Sequence, residues 1–174
     1  MFDLNILCIK QKKAKIINNL NIYVEAVNKN DKQINKRYWE IWRFMDLTDG
    51  IWYDVLKEEN ENAGTSVCDI YDDIAQEVPY WIANREDIKS DLFPFYFKQE
   101  YIQSIKLLMS ELLKESPVKT IYLLCRCQSH EREIISGSLS MEEFFTLMES
   151  KKIYANICYI ITDNPIEFYN NEHR

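Results

Sequence analysis

Two thiols, an imidazole and two carboxylates lie within the eleven residues LLCRCQSHERE, from Leu123 to Glu133. On a strand, Cys125 and Cys127 would project to the same side with His130 just beyond, a donor set that a tetrahedral zinc ion accepts. Zinc sites usually add a second, distant pair of ligands, and here Cys158 could supply one ligand at most. Burial of small thiols in a sheet explains the same residues more simply. We therefore predict no metal and no cofactor.

The same segment could serve a thiol hydrolase, with Cys127 as nucleophile, His130 as base, and Glu131 or Glu133 orienting the imidazole. Strand ends are where α/β proteins often place their sites, which favours this arrangement. However, no glycine loop that could form an oxyanion hole follows the segment, and SGS at 136–138 lacks the pattern of a phosphate-binding loop. We therefore expect no enzymatic activity and keep the hydrolase as the alternative function.

Acidic residues are concentrated in the middle of the chain. The net charge is −7; residues 46–91 hold thirteen Asp/Glu and three Lys/Arg, whereas residues 1–45 hold nine Lys/Arg and four Asp/Glu. An acidic block of this kind repels nucleic acid and anionic membranes and favours basic protein partners. The sequence therefore predicts a protein partner and no direct binding to nucleic acid or membrane.

The stretch DIYDDIAQE, residues 69–77, could alternatively hold magnesium, because Asp69 and Asp73 lie one turn apart on a predicted helix. Such a site needs ligands from another element, and a solvated acidic face is the simpler interpretation. Aromatic residues flank the acids, and aromatic anchors beside charged groups are typical of protein interfaces, although burial in the core is the commoner role of any single aromatic residue. The residues that we predict to bind a partner are Glu58, Glu59, Glu61, Asp69, Asp72, Asp73, Trp52 and Tyr53.

The elements that position these residues are predicted from hydrophobic periodicity. Alternation in FDLNILCI predicts a strand over 2–9, with a helix continuing through Lys15 as the alternative. The apolar runs VKTIYLLCRC and IYANICYIIT predict two buried strands. SLSMEEFFTLMESKK begins a helix with a capping box, in which Ser140 is the N-cap and Glu143 follows three residues later. Helical spacing of apolar residues predicts further helices over 16–27, 34–45, 51–59, 67–78 and 98–115.

These elements predict the fold class. The order helix, strand, helix, strand at the C-terminal end predicts a right-handed βαβ crossover whose two strands are parallel. We therefore expect an α/β or α+β fold that is helix-rich, with a small sheet and helices packed around it. A chain of 174 residues with 47% hydrophobic residues is suited to one domain over 1–174.

The segments that would direct the chain to a compartment point to the cytoplasm. No stretch approaches the roughly 20 apolar residues of a membrane helix. The start, MFDLNILCIKQKKAK, has its apolar run before its lysines, the reverse of a signal peptide. Five scattered cysteines fit reduced thiols better than a disulfide framework. We therefore expect a cytoplasmic protein.

Four segments together carry a family resemblance: PYWIANREDIKSDLFPFYFKQEY, LLCRCQSHERE, SGSLSMEEFFTLM and ANICYIITD. In a small acidic chain this combination resembles the immunity proteins of bacterial toxin systems, including contact-dependent growth inhibition. The resemblance covers about residues 79–163 and is one of general pattern, without a catalytic signature or a particular subfamily. It implies a non-enzymatic inhibitor that binds one cognate toxin domain, often a nuclease, and blocks its active site or substrate surface.

Overall fold

The computed structural model describes residues 2–27, 49–59, 67–71, 93–127 and 134–164. Nine strands and two α-helices lie in these residues. The strands are β1 (Phe2–Ile9), β2 (Tyr23–Val27), β3 (Gly50–Leu56), β4 (Cys68–Ile70), β5 (Phe93–Phe97), β6 (Thr120–Cys127), β7 (Ile134–Leu139), β8 (Tyr154–Ala155) and β9 (Ile157–Thr162). The helices are α1 (Ile102–Glu115), preceded by a 3-10 turn at Gln99–Tyr101, and α2 (Met141–Glu149).

Six of the strands form one sheet in the order β2-β3-β1-β6-β9-β7. All neighbours in this sheet are antiparallel except β7 and β9, which are parallel and are connected through α2. The strands β4, β5 and β8 form a second, antiparallel sheet. This order places β1 and β6 at the centre of the large sheet and β2 at one edge.

Both faces of the large sheet are buried, which explains the apolar runs in its central strands. Side chains such as Leu4 and Leu123 face the main core, where they pack with α1, α2 and the small sheet. Their neighbours Leu7 and Leu124 belong to a second, smaller cluster that also contains Trp52. Burial of this apolar area is the dominant favourable term in the stability of the fold.

Several predicted elements are confirmed. The strand predicted over 2–9 is β1, and the two buried apolar runs contain β6 and β9. The helix predicted over 98–115 is the 3-10 turn followed by α1. The capping box of α2 is formed, since the Glu143 N–H donates to Ser140 Oγ (3.1 Å) and the Ser140 N–H donates to the Glu143 carboxylate (2.7 Å).

The prediction of a helix-rich fold is wrong, because the described residues are dominated by strands. Residues 23–27, expected at the end of a helix, form β2, and most of the helix predicted over 51–59 is β3. Residues 68–70 of the predicted acidic helix form β4. The remainder of that helix, and the one predicted over 34–45, lie outside the described residues.

The predicted parallel pairing is also wrong. The two apolar strands β6 and β9 are antiparallel neighbours, with Ile121 opposite Ile161 and Leu124 opposite Cys158. The parallel partner of β9 is β7, which was not predicted as a strand.

Neither described helix is long and apolar enough to cross a membrane.

Candidate functional site

The thiol segment is only partly within the described residues. Cys125 is buried on β6, facing the main core, and its carbonyl accepts a hydrogen bond from the Asn156 N–H (2.7 Å). The side chain of Cys127 and all of residues 128–133, with His130, lie outside the described part. The relative positions of Cys127 and His130, on which the alternative hydrolase depends, therefore lie outside the described residues. Within the described ranges, no group of three or more His, Cys, Asp or Glu side chains is arranged to hold a metal ion.

Trp52 and Tyr53, predicted as partner-binding aromatics, are core residues. Each is 1% exposed, and they point to opposite faces of β3, into the second cluster and the main core. The Tyr53 hydroxyl donates to Gln11 Oε1 (2.8 Å) and accepts from the Lys15 N–H (3.1 Å). Both rings therefore fix β3 within the fold and offer a partner no exposed surface.

Glu58 and Glu59 lie two and three residues beyond Leu56, the last residue of β3, and both are exposed. On the edge strand β2, exposed Glu25 lies directly opposite Asp54 of β3. These four residues are the acidic edge: Glu25, Asp54, Glu58 and Glu59. Lys57 is the one basic residue in the segment from Asp54 to Glu59. The acidic edge thus combines three exposed carboxylates and one half-buried carboxylate on β2, on β3 and just beyond the end of β3.

The acidic edge raises the pKa of Tyr23, the first residue of β2. Burial raises the pKa of its hydroxyl, and the negative charges of Glu25 and Glu59 raise it further. Asp54 is half-buried, and its carboxylate accepts a hydrogen bond from Asn5 Nδ2 (3.2 Å), which fixes the position of this charge. Like charges directly opposite each other in a sheet destabilise it.

Asp69 lies apart from the acidic edge, on β4 of the small sheet. It is exposed, its carboxylate accepts from the Ile70 N–H (2.9 Å), and it stands opposite Tyr96 of β5. Because Asp69 belongs to a strand, it is not part of the helical carboxylate stripe that the sequence predicted. The other predicted members, Glu61, Asp72 and Asp73, lie outside the described residues.

A cleft of about 530 Å³ lies where the small sheet meets α1 and α2. Tyr71 and Tyr96 form one wall, with ring centroids 4.7 Å apart, and Met148 and Ile102 lie on the other side. Lys151 Nζ lies 5.2 Å from the centre of the Tyr71 ring, a distance at which a cation is attracted to the ring face. The cleft therefore has apolar and aromatic walls, with a cation of this chain at one ring.

Sequence reasoning missed three residues of these surfaces. Glu25 and Asp54 are far apart in the sequence and meet through the pairing of β2 with β3, a register that the predicted helices concealed. Tyr96 lies in FPFYF, where alternation of Phe95 and Phe97 with Tyr96 was an available signal for a strand with one outward-facing ring.

Comparisons with protein-family models, with curated proteins and with solved structures find no match for this chain.

Proposed function

We propose that this protein is an immunity-type inhibitor that binds and neutralises one basic toxin domain in the cytoplasm. The observation that carries the proposal is the acidic edge, where Glu25, Glu58 and Glu59 are exposed beside half-buried Asp54. The family resemblance given above supplies the class of partner, and a nuclease is the first candidate.

The physical reason is charge complementarity. A nuclease must present a basic surface to hold phosphates. An inhibitor that offers carboxylates at the same place competes with the substrate and is steered to the enzyme over long range. The surface of the acidic edge carries three exposed carboxylates, and the overall charge of −7 adds to the attraction.

The edge strand adds a second means of recognition. Within the described residues β2 pairs only with β3, so its outer backbone groups lie at the sheet edge. An extended segment of a partner can add to such an edge through main-chain hydrogen bonds. The carboxylates would then select a basic segment among those that could pair.

If the proposal is right, a toxin gene should lie directly upstream of the gene for this chain, and the test uses the toxin domain that it encodes. Co-expression of the chain should restore growth of cells that produce the toxin domain, and calorimetry with the two purified proteins should show a stoichiometric complex. A non-toxic basic protein of similar isoelectric point is the control for non-specific charge attraction. Failure to restore growth together with failure to form the complex would refute the proposal.

The hydrolase alternative makes an opposite prediction. If Cys127 and His130 formed a catalytic pair, purified protein would turn over model esters or amides, and His130→Ala would abolish the rate. We expect no turnover, and Cys127→Ser should leave the protection against the toxin intact.

A further inference from the structure

Two thiols from different sheets meet in the main core. Cys68 lies on β4 and Cys125 on β6, and their Sγ atoms are 3.6 Å apart. Cys68 is 7% exposed and Cys125 is 1% exposed. Two further cysteines have surroundings of another kind: the Cys8 thiol donates to the Leu112 carbonyl, and Cys158 belongs to the second cluster. The pair is therefore a specific juxtaposition rather than a general consequence of cysteine burial.

The surrounding strands decide which sulfur can move. A disulfide requires the two sulfur atoms to approach to about 2.05 Å, a closing of roughly 1.5 Å. Cys125 is held in β6, which has β1 on one side and β9 on the other. Cys68 is in a strand of three residues that pairs, within the described residues, with β5 alone. The approach is therefore made by Cys68 and the short strand β4.

We infer that Cys68 and Cys125 are a site of covalent modification, at which hydrogen peroxide converts the two thiols to an intramolecular disulfide. Cys68 reacts first because it is the more exposed thiol. Its sulfur attacks one peroxide oxygen, the O–O bond breaks, and sulfenic acid and one water form. The Cys125 sulfur then attacks the Cys68 sulfur and displaces a second water as the S–S bond forms. The two thiols lose two electrons and two protons, and the peroxide is reduced to water.

The disulfide would join the two sheets covalently. Its partners are 57 residues apart in the sequence. Closing a loop of this length restricts the unfolded chain and should raise Tm on the order of 10 °C. It would also fix β4, which carries exposed Asp69 and leads into Tyr71, the wall of the cleft.

The experiment treats the folded protein with hydrogen peroxide, blocks the remaining thiols with N-ethylmaleimide, and maps disulfide-linked peptides by mass spectrometry. We expect a peptide pair containing Cys68 and Cys125, a loss of two free thiols, and a rise in Tm that dithiothreitol reverses. Cys158→Ser is the matched control, a buried cysteine outside the pair, and it should keep both the cross-link and the rise in Tm. Cys68→Ser should lose both.

The peptide map of the parent protein, without substitutions, tests the inferred disulfide even if a serine variant fails to fold. Absence of the Cys68–Cys125 peptide, at a peroxide dose that cross-links the urea-unfolded chain, would overturn the inference. A dominant cross-link between any other two cysteines of the folded protein would overturn it as well.

Discussion

Neutralising the three exposed carboxylates of the acidic edge tests the proposed binding surface directly. In the triple variant Glu25→Gln, Glu58→Gln, Glu59→Gln, each side chain keeps its size and polarity and loses its charge. All three side chains are exposed, so their removal leaves the core untouched. Removing the charge opposite Asp54 also relieves a like-charge pair, so the variant should be no less stable than the parent.

The size of the effect follows from the exposure of these groups. In water, two unit charges about 8 Å apart, as in an encounter complex, interact by about 0.5 kcal/mol before screening. At about 0.01 M salt the Debye length is about 30 Å and most of this attraction remains, whereas at about 0.15 M roughly a third remains. Three lost charges should therefore slow association with the basic partner roughly eightfold at low salt and two- to threefold at physiological salt.

Stopped-flow or surface-based kinetics at several salt concentrations measures the association rate. The matched control neutralises three exposed carboxylates elsewhere, Glu100, Glu142 and Asp163. The reasoning is refuted if the two triple variants slow association equally, because the net charge alone would then govern the encounter. It is refuted equally if neither variant changes the rate or its salt dependence.

Three further predictions concern the stability and reactivity of the fold. Gly50→Ala should lower the free energy of unfolding by about 1–3 kcal/mol in urea titrations, because a Cβ would lie 2.3 Å from the Cys8 carbonyl oxygen. Ser140→Ala should cost about 1 kcal/mol by removing the N-cap of α2. The hydrogen bond from the Ser140 N–H also lowers the pKa of Glu143. The ionised carboxylate therefore stabilises the fold above pH 4.5, and this stabilisation is lost as the pH falls through the lowered pKa. In Glu143→Gln the free energy of unfolding should depend less on pH over this range. Burial raises the pKa of Cys8 from 9.0 to about 12, so the folded protein should resist iodoacetamide at Cys8 up to pH 9, and the thiol's contribution to stability should fade between pH 9 and 12.

The elements that could be predicted are those whose patterns have one interpretation. The long amphipathic helix α1 and the capped helix α2 have the length and end signals of helices, and the runs in β6 and β9 are short and rich in β-formers. Burial on both faces also explains why β3 was mistaken for a helix. Trp52 and Tyr53 are both buried, so the strand lacks the alternation that would have identified it.

The error in strand direction has a single cause. The strand β7, IISGSL, contains Gly137 and two serines and has no continuous apolar run. With β7 missed, β6 and β9 become consecutive strands with one helix between them, a pattern that predicts a parallel pair. With β7 included, the helix-linked parallel pair is β7 and β9, and β6 is free to pair antiparallel with β9.

The candidate surface was predictable only where it depends on local sequence. Glu58 and Glu59 could be named from the acidic block alone, and the structure places both on the surface. Glu25 could not, because its position opposite Asp54 follows from the register of β2 on β3. Trp52 and Tyr53 were assigned to the surface because aromatic residues serve interfaces and cores alike, and sequence neighbours of acids need not share their exposure.

Protection against aggregation is a competing explanation for acids at a sheet edge. Proteins commonly place charges on edge strands to prevent pairing with other chains, and Glu25 on β2 would suffice for that purpose. Glu58 and Glu59 lie beyond the last residue of β3, outside any described strand, and the negative charge of Glu59 nevertheless raises the pKa of Tyr23. The two explanations therefore separate by residue. If the acids serve only to protect the edge, Glu25→Gln should promote self-association and Glu58→Gln with Glu59→Gln should have no effect on partner binding; if they form a binding surface, the latter pair should slow association while the protein stays monomeric.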